Sequence, residues 1–200
     1  MLVLSNLVQG VLPPAGAPAG ELSGFLAANR ERIIAAIFIR LFAGLAFVAF
    51  IAGLRATLDR EPRRGRFLAA AAFAGGLVVI AGNIGASATL AAAAYRTEIS
   101  PSLALMGTLV TATHFFYICS GVGLSCLLLA AFAGLAGTPF MPLWLGWLGV
   151  GTAVADLALP PIAFGNEVYV SGTVLLAKLG WIAVIGVLIF RDRDQPYDQA

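Results

Sequence analysis

Six polar side chains lie inside long apolar runs of this sequence, and they are the residues whose chemistry needs an explanation. They are Arg40, Asn83, His114, Tyr117, Asp156 and Lys178. An ionisable group inside a hydrocarbon core is energetically unfavourable and marks a candidate functional site. When each is measured from the middle of its run, the ionisable groups and the amide lie roughly 3–7 Å to the same side. We therefore predict that these five residues form one thin polar layer, and that they bind a ligand together with Tyr117, which lies three residues from His114 on nearly the same face.

The charges of this polar layer favour an anion, because Arg40 and Lys178 are positive whereas only Asp156 is negative. A carboxylate, a phosphate or a lipid headgroup would suit it. Simpler interpretations remain for each residue. The two cations have stems long enough to reach the headgroups, and Asp156 is expected to pair with one of them. His114 can be a hydrogen-bonded packing residue, and Asn83 can form a hydrogen bond between helices.

Patterns for enzymatic chemistry are weak in this sequence. It has no paired-carboxylate motif, no histidine-rich metal set, no nucleophile elbow and no nucleotide-binding glycine loop. Catalysis by His114 with Ser120 or Cys119 is conceivable, but no pattern distinguishes it from packing. We therefore predict no catalytic residue, no metal site and no cofactor.

The composition identifies the elements that must position these residues. Of the 200 residues, 60% are hydrophobic and 11% are charged, whereas soluble chains are about one quarter charged. This excludes a soluble enzyme, a nucleic-acid-binding domain and a disordered chain. The apolar runs are continuous and do not alternate, which excludes a membrane β-barrel. The sequence predicts an all-α, polytopic transmembrane helical bundle in one domain.

Five runs are long enough to cross a hydrocarbon core of roughly 30 Å. We predict spans at about 33–54, 67–94, 102–133, 143–159 and 170–190. Residues 1–32 form an external lead-in with a short amphipathic helix, and residues 191–200 form a cytoplasmic tail. Pro160 and Pro161 are expected to end the fourth span.

The distribution of arginines predicts the orientation. Five of them lie in the connection Arg55–Arg66, and cytoplasmic loops carry an excess of Lys and Arg. We therefore expect the N-terminus outside and the C-terminus inside, with Arg30 and Arg32 counting mildly against this orientation. An odd number of spans without a signal sequence raises the expectation that a preceding helix is missing from this chain.

Two stretches of the sequence resemble a known family. One is ELSGFLAANRERI (Glu21–Ile33), which leads into a span ending in AGLRATL (Ala52–Leu58). The other is PFMPLWLGWLGVGTAVADL (Pro139–Leu157). Both resemble a widespread uncharacterised family of bacterial multi-pass integral membrane proteins with about six helices. The resemblance implies that the first helix is lacking here and that Glu21–Ile33 lies outside; it implies no activity.

We accordingly predict a multi-pass protein of the cell inner (plasma) membrane that binds or moves a small anionic or amphiphilic ligand through an outward-facing polar pocket. The expected partners are membrane lipids, that ligand and partner membrane subunits or further copies of the chain, with no nucleic acid. One alternative is a structural or accessory subunit of a larger membrane complex. Another is a small membrane enzyme acting on a lipid-like substrate. A cavity at the layer favours ligand binding, and a flat apolar helix face favours the subunit.

Overall fold

The structure, a computed structural model, describes residues 8–10, 12–13, 17–60, 65–99, 103–136, 138, 141–162 and 167–193. Its elements in these residues are five long helices and one isolated bridge between Ala136 and Met141. The helices are α1 (Ala19–Leu58), α2 (Gly65–Ile99), α3 (Leu103–Leu135), α4 (Leu143–Ile162) and α5 (Glu167–Arg193). The predicted all-helical bundle is confirmed for the described residues.

Helix α1 is much longer than the apolar run that predicted it. It begins after Pro18, whose carbonyl accepts the first backbone hydrogen bonds, and it continues without a break to Leu58. Its 40 residues correspond to about 60 Å. The expectation of a separate short helix within residues 1–32 was wrong. The polar residues from Asn29 to Arg32 include no helix breaker, so they extend the helix beyond the apolar run.

The other helix bounds lie close to the predicted spans. Helix α4 includes Pro160 and Pro161 in its last turn and ends one residue later, at Ile162. Parts of the predicted connections and tail, at 61–64, 163–166 and 194–200, lie outside the described residues.

Three helices are long and apolar enough to cross a membrane. Within the described residues these candidate spans are Gly20–Leu58, Gly65–Arg96 and Ala104–Leu135. Leu143–Ala158 is a shorter apolar helix. Large apolar side chains also cover the outside of the bundle, as shown by Phe42, which is 64% exposed, and Leu45, which is 68% exposed. A surface of this kind suits contact with lipid rather than with water.

The helices pack side by side, and α3 contacts three of the others, namely α1, α2 and α4. Each helix contacts its neighbours in the chain, and α1 also contacts α5. The closest approach is between α2 and α3. A Cβ atom added at Gly75 would lie 2.6 Å from the carbonyl oxygen of Gly123. Only glycine permits this separation, which is the small-residue packing typical of membrane helices.

The buried apolar residues form two separate clusters. The Leu90 cluster lies at the end of the bundle where α1 begins and consists of Leu22, Leu26, Ile33, Leu90, Ala93, Ala94, Met106 and Val110. The Leu127 cluster occupies the other half and includes Ile51, Leu54, Leu124, Leu127, Ala153 and Trp181. On α3 the interval between them runs from Val110 to Leu124. This interval contains the predicted polar layer.

Candidate functional site

The polar side chains of four helices meet within little more than one turn of α3. The Arg40 guanidinium of α1 lies over the ring of Tyr117, at 5.6 Å from its centroid. Asn83 of α2 donates a hydrogen bond to Ser120, and the Asp156 side chain of α4 lies 3.8 Å from where a Cβ of Gly121 would be. Tyr117 and Gly121 are separated by about 6 Å along the helix axis. The layer is therefore thin, and α3 supplies the common surface.

Arg40 is held inside the bundle, where only 6% of it is exposed. Its Nη2 atom donates a hydrogen bond to the side-chain oxygen of Gln9, which is 4% exposed. The distance from its guanidinium to the Tyr117 ring is within the range of a cation–π interaction. The Arg40 guanidinium is therefore engaged inside the bundle, with Gln9 and Tyr117.

Asp156 and Lys178 form an ion pair between α4 and α5. The Lys178 ammonium donates to Oδ1 of Asp156. The Lys178 side chain is 16% exposed and the Asp156 side chain is 10% exposed, so the ion pair is largely buried inside the bundle. The expected pairing of Asp156 with a cation is confirmed, and the partner is Lys178. The Lys178 ammonium is therefore directed towards the Asp156 carboxylate.

The register of α1 and α5 places both cations at nearly the same level. Phe50 lies beside Gly186, and Ile189 lies beside Gly53, so the two helices run parallel. Extending this register puts Lys178 level with position 42 of α1. That is about 3 Å along the axis from Arg40. Arg40 of α1 and Lys178 of α5 therefore lie at nearly the same level of the bundle.

Asn83 belongs to a separate contact between α2 and α3. Its Nδ2 atom donates to Ser120 at 2.8 Å and to the carbonyl of Val79 at 2.9 Å. Further along the same two helices, the hydroxyl groups of Thr89 and Thr113 lie 2.8 Å apart. These bonds fit the interpretation of Asn83 as a link between helices.

His114 lies away from the centre of the layer. Its Nδ1 atom donates to the carbonyl of Val110 in its own helix at 2.8 Å. It is seven positions before Gly121, on the same face and about 10.5 Å along the axis. The sequence grouped His114 with Tyr117, but the structure places Asp156 against α3 at the level of Gly121. Ser120 is directed towards Asn83, so the arrangement does not support joint catalysis with His114.

Two buried oxygen atoms remain without a hydrogen-bond partner in the described part of the chain. They are the hydroxyl of Tyr117 and Oδ2 of Asp156. Tyr117 and Gly121 are four residues apart and share one face of α3, and Asp156 packs against Gly121. The two oxygens therefore belong to the same side of the polar layer. A buried polar atom without a partner is costly, which makes this side a candidate binding site.

A shallow groove elsewhere on α1 is lined by Arg30, Glu31 and Arg32 together with two alanines, and its volume is about 310 Å³. Its nearest lining residue is about 12 Å along the helix from Arg40. Arg30 also lies over the ring of Tyr95, at 4.9 Å from the centroid. This groove is outside the polar layer and does not provide the predicted pocket.

Sequence reasoning missed Gln9. It lies in a short stretch before the prolines, where no helical or strand period marks a buried residue. Its only sequence signal is an amide between apolar neighbours, which is too common to interpret. The role of Gly121 was also missed, because a glycine that makes room for a side chain of another helix has no distinguishing local pattern.

The described part of the chain forms a helical bundle that includes three helices long and apolar enough to span a membrane. This chain matches no protein-family model, no curated protein and no solved structure. The family resemblance of its two motifs stays a prediction.

Proposed function

We propose that this protein is a multi-pass membrane protein that binds, and thereby can move, a small anionic or amphiphilic ligand. The observation that carries the proposal is that Arg40 lies over Tyr117 and that Asp156, paired with Lys178, lies beside Gly121 on the same face of α3. Two oxygens of this group are buried without a partner in the described residues. Packing alone does not require such a group, because Gly, Ala, Ser and Thr suffice to associate membrane helices.

The chemistry of Arg40 supports an anionic ligand. Its guanidinium donates to a neutral amide oxygen, that of Gln9. A carboxylate or phosphate oxygen makes a stronger bond to the same donor, roughly twice as strong as one between neutral groups. Apolar clusters lie on both sides of the layer, which favours a ligand that also carries an apolar part.

The proposal is tested by native mass spectrometry of the purified chain and of Arg40→Met and Lys178→Met. The wild-type protein is expected to retain an anionic amphiphile, and at least one variant should fold normally yet lose it. Thr113→Val is the matched control, because it removes a hydrogen bond between helices without changing a charge. Equal ligand content in all four proteins, or none in any, would contradict ligand binding.

We also propose that the N-terminus is external and the C-terminus internal, in the plasma membrane. The arginines between α1 and α2 support this orientation. Arg60 and Arg96 are exposed near opposite ends of α2, so Arg60→Cys and Arg96→Cys form a matched pair. After the native Cys119 and Cys126 are replaced, a membrane-impermeant thiol reagent added to intact cells should label position 96 and not position 60. Inverted vesicles should reverse the result, and the opposite pattern would refute the orientation.

A second candidate function is that of an accessory subunit in a larger membrane complex. One face of α1 favours it, because Phe38, Leu41, Phe42, Leu45 and Val48 are all between 44% and 68% exposed. Such an apolar face can contact lipid or a helix of another chain. Native mass spectrometry in a mild detergent distinguishes the two functions, since a subunit should retain a stoichiometric protein partner and no small ligand.

A further inference from the structure

The segment before α1 folds back into the bundle and reaches the polar layer. Val8 and Gln9 are helical, and Gly10 has a φ of +80°, a left-handed conformation that favours glycine. Leu12 and Ala17 pack against the Leu90 cluster. In consequence, the side chain of Gln9 is buried beside a residue of α1 that follows it by 31 positions.

One acceptor of the Arg40 guanidinium is a neutral amide, that of Gln9. Burial of a polar side chain is unfavourable unless it is hydrogen-bonded, and the Gln9 oxygen meets that requirement. A carboxylate at the same place would bind the guanidinium more strongly, since charge-assisted hydrogen bonds exceed neutral ones. The hydrogen bond from Arg40 Nη2 to the Gln9 amide oxygen is therefore weaker than the bond that the same donor would make to an oxygen of an anion.

Tyr117 provides a second, independent indication of a ligand. Its hydroxyl is buried and has no hydrogen-bond partner in the described residues, while its ring supports the Arg40 guanidinium from one side. A phenol donates one hydrogen bond and a guanidinium donates five, whereas a phosphate or carboxylate only accepts. The two side chains together provide donors suited to an oxyanion.

We propose that Arg40 and Tyr117 form an oxyanion subsite and that Gln9 is its internal competitor. The amide oxygen of Gln9 lies where an oxygen of a carboxylate or phosphate binds, and the ligand displaces the Gln9 side chain when it enters. This inference rests on the proposed function, in which the polar layer binds an anionic ligand. It adds the chemical class of the recognised group and the residue that must leave.

The test uses the full chain in nanodiscs of zwitterionic phosphatidylcholine, with inorganic phosphate and dodecyl phosphate as probes. Gln9→Ala should bind the recognised probe about tenfold more tightly, since loss of a competing hydrogen bond to a charged group approaches 1.4 kcal/mol. Gln9→Glu should bind it at least about tenfold more weakly, because its tethered carboxylate occupies the subsite. Glu21→Gln is the control, because Glu21 is exposed near the start of α1, and it should match the wild-type protein.

Thermal unfolding without any probe gives a readout independent of the ligand. Gln9→Glu should unfold at a higher temperature than the wild-type protein, because the new carboxylate pairs with Arg40. A lower unfolding temperature would overturn the subsite, since a buried carboxylate without a suitable partner is destabilising. Because Gln9→Glu is expected to be the more stable variant, this measurement remains decisive if Gln9→Ala does not fold.

The outcomes separate the inference from the proposed function. If the wild-type chain binds a probe and neither Gln9 variant changes the affinity or the unfolding temperature, the inference alone is wrong. If neither probe binds to the wild-type chain or to Gln9→Ala, the proposed function is refuted as well. Binding of dodecyl phosphate alone identifies an amphiphile from the membrane, whereas binding of inorganic phosphate identifies recognition of the anionic group itself.

Discussion

The ion pair between Asp156 and Lys178 offers the sharpest test of the layer's energetics. The Lys178 ammonium donates to one carboxylate oxygen of Asp156, and the other oxygen has no partner in the described residues. Lys178→Met therefore removes the bond to Oδ1 and leaves a buried charge. Breaking such a pair from one side typically costs about 3–5 kcal/mol. Asp156→Asn should cost less, about 1.5–3 kcal/mol, because the amide oxygen still accepts a hydrogen bond.

The double variant Asp156→Asn/Lys178→Met should be much closer to the wild-type protein. Neither charge remains, so the free energy of unfolding should fall by only about 1 kcal/mol, since replacing a buried pair by uncharged groups is often nearly neutral. The resulting coupling between the two sites should be about 3.5 kcal/mol or more. The quantity is measured by unfolding in mixed micelles of sodium dodecyl sulfate, followed by tryptophan fluorescence. Trp181, one turn from Lys178 and fully buried, is a natural reporter.

Arg191→Met is the matched control, because Arg191 is exposed on the same helix as Lys178. Removing this exposed charge should change the free energy of unfolding by no more than about 0.5 kcal/mol. The reasoning fails if the double variant is as unstable as the worse single variant. It also fails if Lys178→Met changes the free energy of unfolding no more than the control does, because the buried pair would then behave like an exposed charge.

Two further predictions concern the packing of helices α2 and α3. Gly75→Ala should lower the free energy of unfolding by about 1–3 kcal/mol through overpacking, because its Cβ would lie 2.6 Å from the carbonyl oxygen of Gly123. In the same unfolding assay Gly44→Ala should be neutral or stabilising by up to about 1 kcal/mol, since a Cβ there meets nothing within 4 Å. Equal losses of unfolding free energy in the two alanine variants would contradict the close approach of α2 and α3. Thr113→Val should lower the free energy of unfolding by only about 0.6 kcal/mol, which is typical of one hydrogen bond between membrane helices, because it breaks the 2.8 Å contact with Thr89. A loss above about 2 kcal/mol would show that Thr113 contributes more than this one hydrogen bond.

The extent of most helices could be predicted because their apolar runs end at charges, glycines or prolines. Helix α3, predicted at 102–133, is observed at Leu103–Leu135. The start of α1 could not be predicted in this way. Residues such as Arg30 and Glu31 interrupt the hydrophobic pattern but form helices readily, so hydrophobicity locates the apolar run and not the end of the helix.

The depth of the candidate polar residues along the helix axes could be estimated from the sequence, but their side-chain partners could not. Counting residues from the middle of each run placed the polar groups in one layer, because a helix advances by a fixed rise per residue. The choice between Arg40 and Lys178 as the partner of Asp156 depends on which helices are adjacent and how they are rotated. Gln9 could not be predicted either, because its burial depends on a contact with Arg40, 31 positions further along the chain.

The structure divides the polar layer into two parts with different expected roles. Asn83 reaches α3 at Ser120, where the hydrogen bonds link the two helices. Arg40 and Asp156 instead reach the face that contains Tyr117 and Gly121, and the two buried oxygens without a described partner belong to that face. All three charged side chains come from the helices around α3, and α3 itself contributes uncharged residues at this level. A ligand bound between them would meet charges from α1, α4 and α5 simultaneously, so ligand binding would bias the relative positions of these helices, whereas the α2–α3 contact could remain fixed.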